Sequence, residues 1–222
     1  MLKRLLLCFP LMIAAWSCSA SDEAAPLYVA GTNYDLITNK VARTAPRDKI
    51  EVAEFFWYGC GHCYTFEPLL ETWKGSLPED VAFRPIPAVW RDSMELHARA
   101  FYTAEALGVL DVMHPAIFKA MNVDGLPLDS QSDIARLFEA NGVSQEDFNN
   151  TFNSFGVTSQ VQQAIAALRS ARVTGTPAMM VDGKYNISAQ KAGSQSGMLR
   201  VADFLIEKER DAKAAEPAQE GS

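Results

Sequence analysis

Positive charge is in deficit in this 222-residue chain: 20 Lys and Arg stand against 27 Asp and Glu, a formal net charge of −7. An acidic surface repels a phosphate backbone, so nucleic acid is not an expected partner. Cysteine is scarce as well, and four Cys are too few for a disulfide-stapled scaffold. No segment offers the ~20 consecutive apolar residues that a membrane-spanning helix needs. Internal repeats and low-complexity stretches are missing too. What remains, 48% hydrophobic and 21% charged, is the composition of a globular chain long enough to bury a core unaided.

The start of the chain reads as an address. Lys3 and Arg4 precede an apolar run from Leu5 to Trp16, followed by the small residues Ser17, Ser19, Ala20 and Ser21. This is the three-part pattern of a secretory signal peptide, assigned here to residues 1–20. Plain cleavage after Ala20 is one outcome. The other is a lipobox at Ala15-Trp16-Ser17-Cys18, with an acylated Cys18 as the new N-terminus. The folded part then keeps only Cys60 and Cys63, spaced C-x-x-C.

The body alternates in pattern. Tyr34 to Ile37 is a short strand candidate. Ile50 to Tyr58, IEVAEFFWY, is β-branched and aromatic like a strand buried on both faces. A helical run from Tyr64 to Lys74 follows, with a kink expected at Pro68, and then a strand over Val81 to Pro87. The middle is helical. Ser93 precedes Met94 to Leu107, Ser132 and Ser144 stand as caps of two further helices, and Phe148, Phe152 and Phe155 share a helical spacing. Thr158 or Ser159 opens a longer helix. Strands return at Ala178 to Val181 and Lys184 to Ile187 around Asp182-Gly183, a hairpin signal. A last amphipathic helix carries Met198, Val201, Ala202 and Leu205. The charged, Ala-rich tail from Lys208 is expected to fray. These readings divide the chain into a sheet domain over 27–89, a helical insertion over 90–158, the rest of the sheet domain over 159–207, and a flexible tail over 208–222.

C-x-x-C between a buried strand and a helix is the arrangement of a thioredoxin-like redox site. Cys60, at the helix start, faces unpaired N–H groups and the positive end of the helix dipole, which favour its thiolate. Cys63, one turn in, is expected to be buried and to resolve. Between them, His62 adds charge or a hydrogen bond to the sulfur, and Gly61 lets the turn form. Structural zinc needs four ligands and no second Cys pair exists. A disulfide closing so short a loop adds little stability. Glu54, six residues before Cys60, is either a buried acid that shuttles the Cys63 proton or a solvated acid at a strand edge. Thr176-Pro177 precedes a strand. A cis bond there would turn the Thr176 backbone towards the CGHC loop, but spacing alone favours an ordinary trans turn.

FFWYGCGHCYTFEP and, much later, VTGTPAMMVDGKY together resemble the bacterial periplasmic DsbA family of thiol:disulfide oxidoreductases. The resemblance implies an α/β thioredoxin fold with an inserted helical subdomain. Cys60 would be the nucleophile, Cys63 the resolving Cys, Glu54 the buried acid and Pro177 the cis-proline. It further implies a redox-active Cys60–Cys63 disulfide with no cofactor or metal, a periplasmic monomer, newly exported Cys-containing proteins as substrates, and re-oxidation by a DsbB-like quinone-linked inner-membrane protein. Two positions depart from the family pattern. Gly61-His62 replaces Pro-His, as in protein disulfide isomerase, and Thr176 replaces Val, as in the Dsb isomerases. The competing readings are therefore an isomerase or reductase kept reduced by a membrane partner, and a peptide-binding chaperone using an apolar surface around Trp57, Tyr58 and Met179.

Overall fold

The computed structural model describes residues 27–39 and 41–215. The signal segment 1–20, including Cys8 and Cys18, and the end of the tail at 216–222 lie outside the described residues. Five strands form one mixed sheet: β1 (Asp35–Leu36), β2 (Ile50–Phe56), β3 (Val81–Pro87), β4 (Ala178–Val181) and β5 (Tyr185–Ser188). Their order is β1-β5-β4-β2-β3. β2 pairs parallel with β3 and antiparallel with β4, so the IEVAEFF run lies inside the sheet with all seven residues buried. The β4–β5 hairpin turns on Asp182 and Gly183, both at positive φ, +50° and +68°.

Helix α1 (Gly61–Lys74) follows β2 directly and continues past Pro68 without interruption. Between β3 and β4 come α2 (Asp92–Ala106), α3 (Leu110–Asn122), α4 (Gln131–Ala140), α5 (Gln145–Phe152) and α6 (Phe155–Ser170). The short α7 (Ala189–Ala192) and long α8 (Gln195–Ala215) close the fold. Strand alternation sends Ala53 and Phe55 into a core shared with α2 to α6, and Ile50 and Val52 into a second core shared with α1 and α8.

Several boundaries differ from the sequence expectations. Ser130, not Ser132, caps α4 by accepting from the Asp133 N–H, whereas Ser144 caps α5 as expected. Ser154 caps α6 and starts it at Phe155, so residue 158 lies inside that helix and is no boundary. Phe155 consequently leaves the Phe148–Phe152 stripe and is 87% exposed. α3 carries no side-chain cap and holds Pro115 inside, which together hide it in the sequence. Its buried Met113, Ile117 and Ala120 were the signal that could have revealed it. Residues 208–215 do not fray, since α8 runs to Ala215. Glu209 is buried, where it accepts from Lys184 and from the Tyr185 hydroxyl. Arg210 forks onto both Asp80 oxygens at 2.7 and 2.9 Å. Charges that look solvated in one dimension find partners on the sheet domain.

Candidate active site

Cys60 is the N-cap of α1, in extended backbone (φ −97°, ψ 109°), and no side-chain oxygen caps the helix. Its sulfur stands where a capping side chain would stand, facing the free N–H groups of the first turn. The first turn of α1 contains no acidic residue to compete for that positive end. Both thiols are free, Cys60 half-buried and Cys63 buried. A hydrogen bond from the Cys63 thiol is the largest influence on Cys60. With the Thr176 side chain and the Cys63 and His62 backbone N–H groups it outweighs burial and brings the Cys60 pKa down to about 5. Cys63 moves the opposite way. Burial pushes its thiol up, helped by its hydrogen bond to Cys60 and by the charges of Cys60 and Glu54. One sulfur is thus a thiolate at neutral pH and the other holds its proton.

His62 is exposed. Where the sequence suggested an imidazole beside the sulfur, the group found facing it is the His62 backbone N–H. The His62 carbonyl accepts from Gln195 at 2.5 Å and from Thr65 at 3.1 Å, which fixes the turn to α8. Thr176-Pro177 is cis, against the default that spacing alone favours. The Thr176 carbonyl lies 3.4 Å from the Cys60 sulfur, where it accepts from the protonated thiol only, while the Thr176 side chain favours the thiolate. His62, Thr176 and Pro177 line one side of a groove of about 700 Å³ whose other walls include Arg172, Ser188 and Lys191.

β2 buries two acids with opposite outcomes. Burial would raise the Glu51 pKa, but N–H groups of Thr44 and Ala45, the Thr44 hydroxyl and Arg84 all satisfy the carboxylate and bring it below its usual value. Glu54 is 1% exposed and its Oε1 has no partner. Burial, and then the charge of Glu67, push its pKa well above the usual range. With β2 between β3 and β4, the strand-edge reading of Glu54 is excluded. The register puts Glu54 on the face of Ile50 and Val52, towards α1.

Other residues of the site were not legible in the sequence. Asn122, from the unanticipated α3, donates to the Tyr58 carbonyl at 2.7 Å. His114 of the same helix meets the Tyr58 hydroxyl at 2.8 Å and Glu67 at 3.4 Å. Tyr58 and Met179 are fully buried, so they form no docking surface. Among the described residues, no three His, Cys, Asp or Glu side chains converge as a metal would require. No described helix is long and apolar enough to cross a membrane.

Known proteins resemble this chain over most of its length. The family model described as a DSBA-like thioredoxin domain matches residues 70–199. The thiol:disulfide interchange protein DsbA of Pseudomonas syringae pv. tomato is 39% identical over 204 residues, covering 92% of this chain and 95% of the relative. That of Azotobacter vinelandii is 42% identical over 165 residues, 74% of this chain and 77% of the relative. The crystal structure of Pseudomonas aeruginosa DsbA superposes with a TM-score of 0.80 at 39% identity, over 84% of this chain and 97% of the other. A dithiol of opposed acidities at the head of a thioredoxin-fold helix, together with these likenesses, leads to one conclusion: the chain belongs to the DsbA family of thiol:disulfide interchange proteins.

Proposed function

We propose that this oxidoreductase donates its Cys60–Cys63 disulfide to newly exported proteins, in the compartment to which the N-terminal signal directs it. A substrate thiolate attacks the Cys60 sulfur. A new intermolecular S–S bond forms as the Cys60–Cys63 bond breaks, and Cys63 leaves as a thiolate that takes up a proton. A second substrate thiolate then attacks the substrate sulfur of the mixed disulfide and releases Cys60 as a thiolate. Two electrons pass from the substrate dithiol to the protein. Of the two protons released, one stays on Cys63 and one goes to solvent. Glu54, which holds its proton well above the usual carboxylate range, relays the Cys63 proton: it gives its own to the leaving thiolate and is reprotonated by one of the two that the substrate releases. Thr176 and cis-Pro177 offer backbone to an extended substrate in the groove, and His62 favours the thiolate beside it. A DsbB-like quinone-linked membrane protein restores the disulfide.

The observation that carries this reading is the place of the Cys60 sulfur, half-buried at the uncapped N-terminus of α1 with no acid in the first turn and Cys63 buried one turn in, which lowers the Cys60 pKa to about 5. A stabilised thiolate is a good leaving group and drives the disulfide to give itself away. The decisive experiment is trapping. Cys63→Ser should accumulate mixed disulfides with exported proteins through Cys60, because exchange at Cys60 survives and resolution does not, and Cys60→Ser should trap nothing. If the Cys63 variant captures no partner, the roles are wrongly assigned.

A further inference from the structure

Trp57 stands, half-buried, between the CGHC turn and the helical insertion. Its indole lies so close over Gly59 that a Cβ there would sit 2.4 Å from the ring. Its Nε1–H donates to Nδ1 of His97 at 2.9 Å, and the Arg91 guanidinium covers the ring at 4.9 Å. The backbone of Trp57 belongs to the site itself. Its carbonyl accepts from the Cys60 N–H at 2.9 Å, and its N–H favours the thiolate form of Cys63.

His97, on α2, is 3% exposed and has both ring nitrogens committed. The carbonyls of Pro127 and Leu128 each lie 3.2 Å from Nε2. Carbonyls only accept, so Nε2 carries the hydrogen and Nδ1 is the bare acceptor that the indole N–H requires. A doubly protonated ring would set N–H against N–H at Trp57. Burial, and to a lesser degree Arg91, disfavour that charge against the pull of the two carbonyls and Asp129. Leu128 is buried at φ +48°, a conformation that a branched side chain adopts only where its surroundings impose it. His97 therefore ties a strained loop of the insertion to the residue on which the CGHC turn rests, and the exchange chemistry above makes no use of it.

We propose that His97 is a positioning residue for disulfide exchange: its neutral imidazole clamps Trp57 over Gly59, holds the turn that presents Cys60, and couples that turn to the helical insertion. The proposal rests on the reading of Cys60 as the reacting sulfur. Three variants of the full-length protein test it. Trp57→Phe removes the indole N–H and keeps an aromatic ring. His97→Gln keeps a polar group near the place of Nε2 but no acceptor near that of Nδ1. His97→Asn puts an amide oxygen where Nδ1 stands. The rate at which each oxidised protein reacts with a cysteine peptide should fall about threefold to tenfold in Trp57→Phe and His97→Gln, the scale of one lost hydrogen bond. The double variant should fall no further, and His97→Asn should recover most of the wild-type rate. The indole N–H resonance that Trp57→Phe deletes should be slow to exchange with solvent in the wild type and in His97→Asn, and fast in His97→Gln. If His97→Gln does not fold, Trp57→Phe alone decides. An unchanged rate in Trp57→Phe, even with a lowered melting point, would reduce the contact to packing and overturn the proposal. A wild-type protein that fails to exchange at all would overturn the functional reading and this proposal with it.

Discussion

The depressed pKa of Cys60 makes the redox state and the stability of this protein interdependent, and the dependence has a calculable pH signature. An unperturbed thiol titrates near ~8.5, whereas native Cys60 titrates at about 5. Between those values the unfolded reduced chain binds a proton that the native chain does not, so stability rises with pH across the window. Two pH units from 5 to 7 correspond to about 2.7 kcal/mol at full strength. Cys60 is half-buried, and halving for solvent screening leaves about 1–2 kcal/mol at pH 7. This contribution is complete only above the ordinary thiol range and is lost as pH falls through about 5. Cys63 is shifted upward, so it counts against the fold only above the ordinary thiol range and leaves this window to Cys60. The oxidised protein has no titrating thiol at either position, and Glu54, raised chiefly by burial and then by Glu67, is common to both forms apart from the smaller influence of the Cys60 charge. Guanidinium unfolding of the reduced and oxidised proteins at pH 5, 6, 7 and 8 isolates the effect. The reduced form should gain about 1–2 kcal/mol on the oxidised form between pH 5 and 7. Closure of the short disulfide loop only adds a constant. By the thermodynamic cycle the same quantity appears as roughly 20–45 mV in the reduction potential. A reduced-minus-oxidised difference that stays flat from pH 5 to 8 would falsify the account of thiolate stabilisation.

Thr176→Val removes a side chain that favours the thiolate, so the thiolate absorbance of Cys60 should titrate at a higher pH; an unmoved titration would leave Thr176 no part in the acidity. Glu54→Gln removes a buried acid with an unpartnered oxygen. Because the native pKa is raised, ionisation opposes folding as pH climbs above the unfolded value of ~4.3, and the variant should be about 1–3 kcal/mol more stable at neutral pH. Its exchange with a dithiol peptide should nevertheless slow, and a variant that is stabilised yet equally fast would free Glu54 of any proton-transfer role. Truncation after Glu207 strips Lys184 and Tyr185 of Glu209 and Asp80 of Arg210. A denaturation midpoint reporting a loss of about 1–3 kcal/mol is expected, and no loss would return the tail to the fraying segment that its composition suggests.

Much of this protein is written locally. The IEVAEFF run is an interior strand because its β-branched and aromatic residues favour burial on both faces, at the cost of burying two glutamates. CGHC opens a helix because the chain turns there with no competing cap, and Asp182-Gly183 turns a hairpin because its backbone needs positive φ. Those signals act over a few residues, so a linear reading recovers them. The family motifs, read together, also anticipated the thioredoxin fold with its helical insertion. Tertiary structure decided what depends on partners distant in sequence. Two glutamates in one strand look alike until Thr44, Ala45 and Arg84 surround Glu51 and nothing meets the Glu54 Oε1. α3 is concealed by Pro115 and the lack of a cap, yet packing forms it and brings Asn122 to the Tyr58 carbonyl, 64 residues away in the chain. The end of α8 reads as a solvated tail until Tyr185, Lys184 and Asp80 supply its charges with partners. His97 and Trp57, 40 residues apart, meet only because α2 packs beside the CGHC turn. Burial and long-range hydrogen bonding set those outcomes, and neither is a property of any short window of sequence.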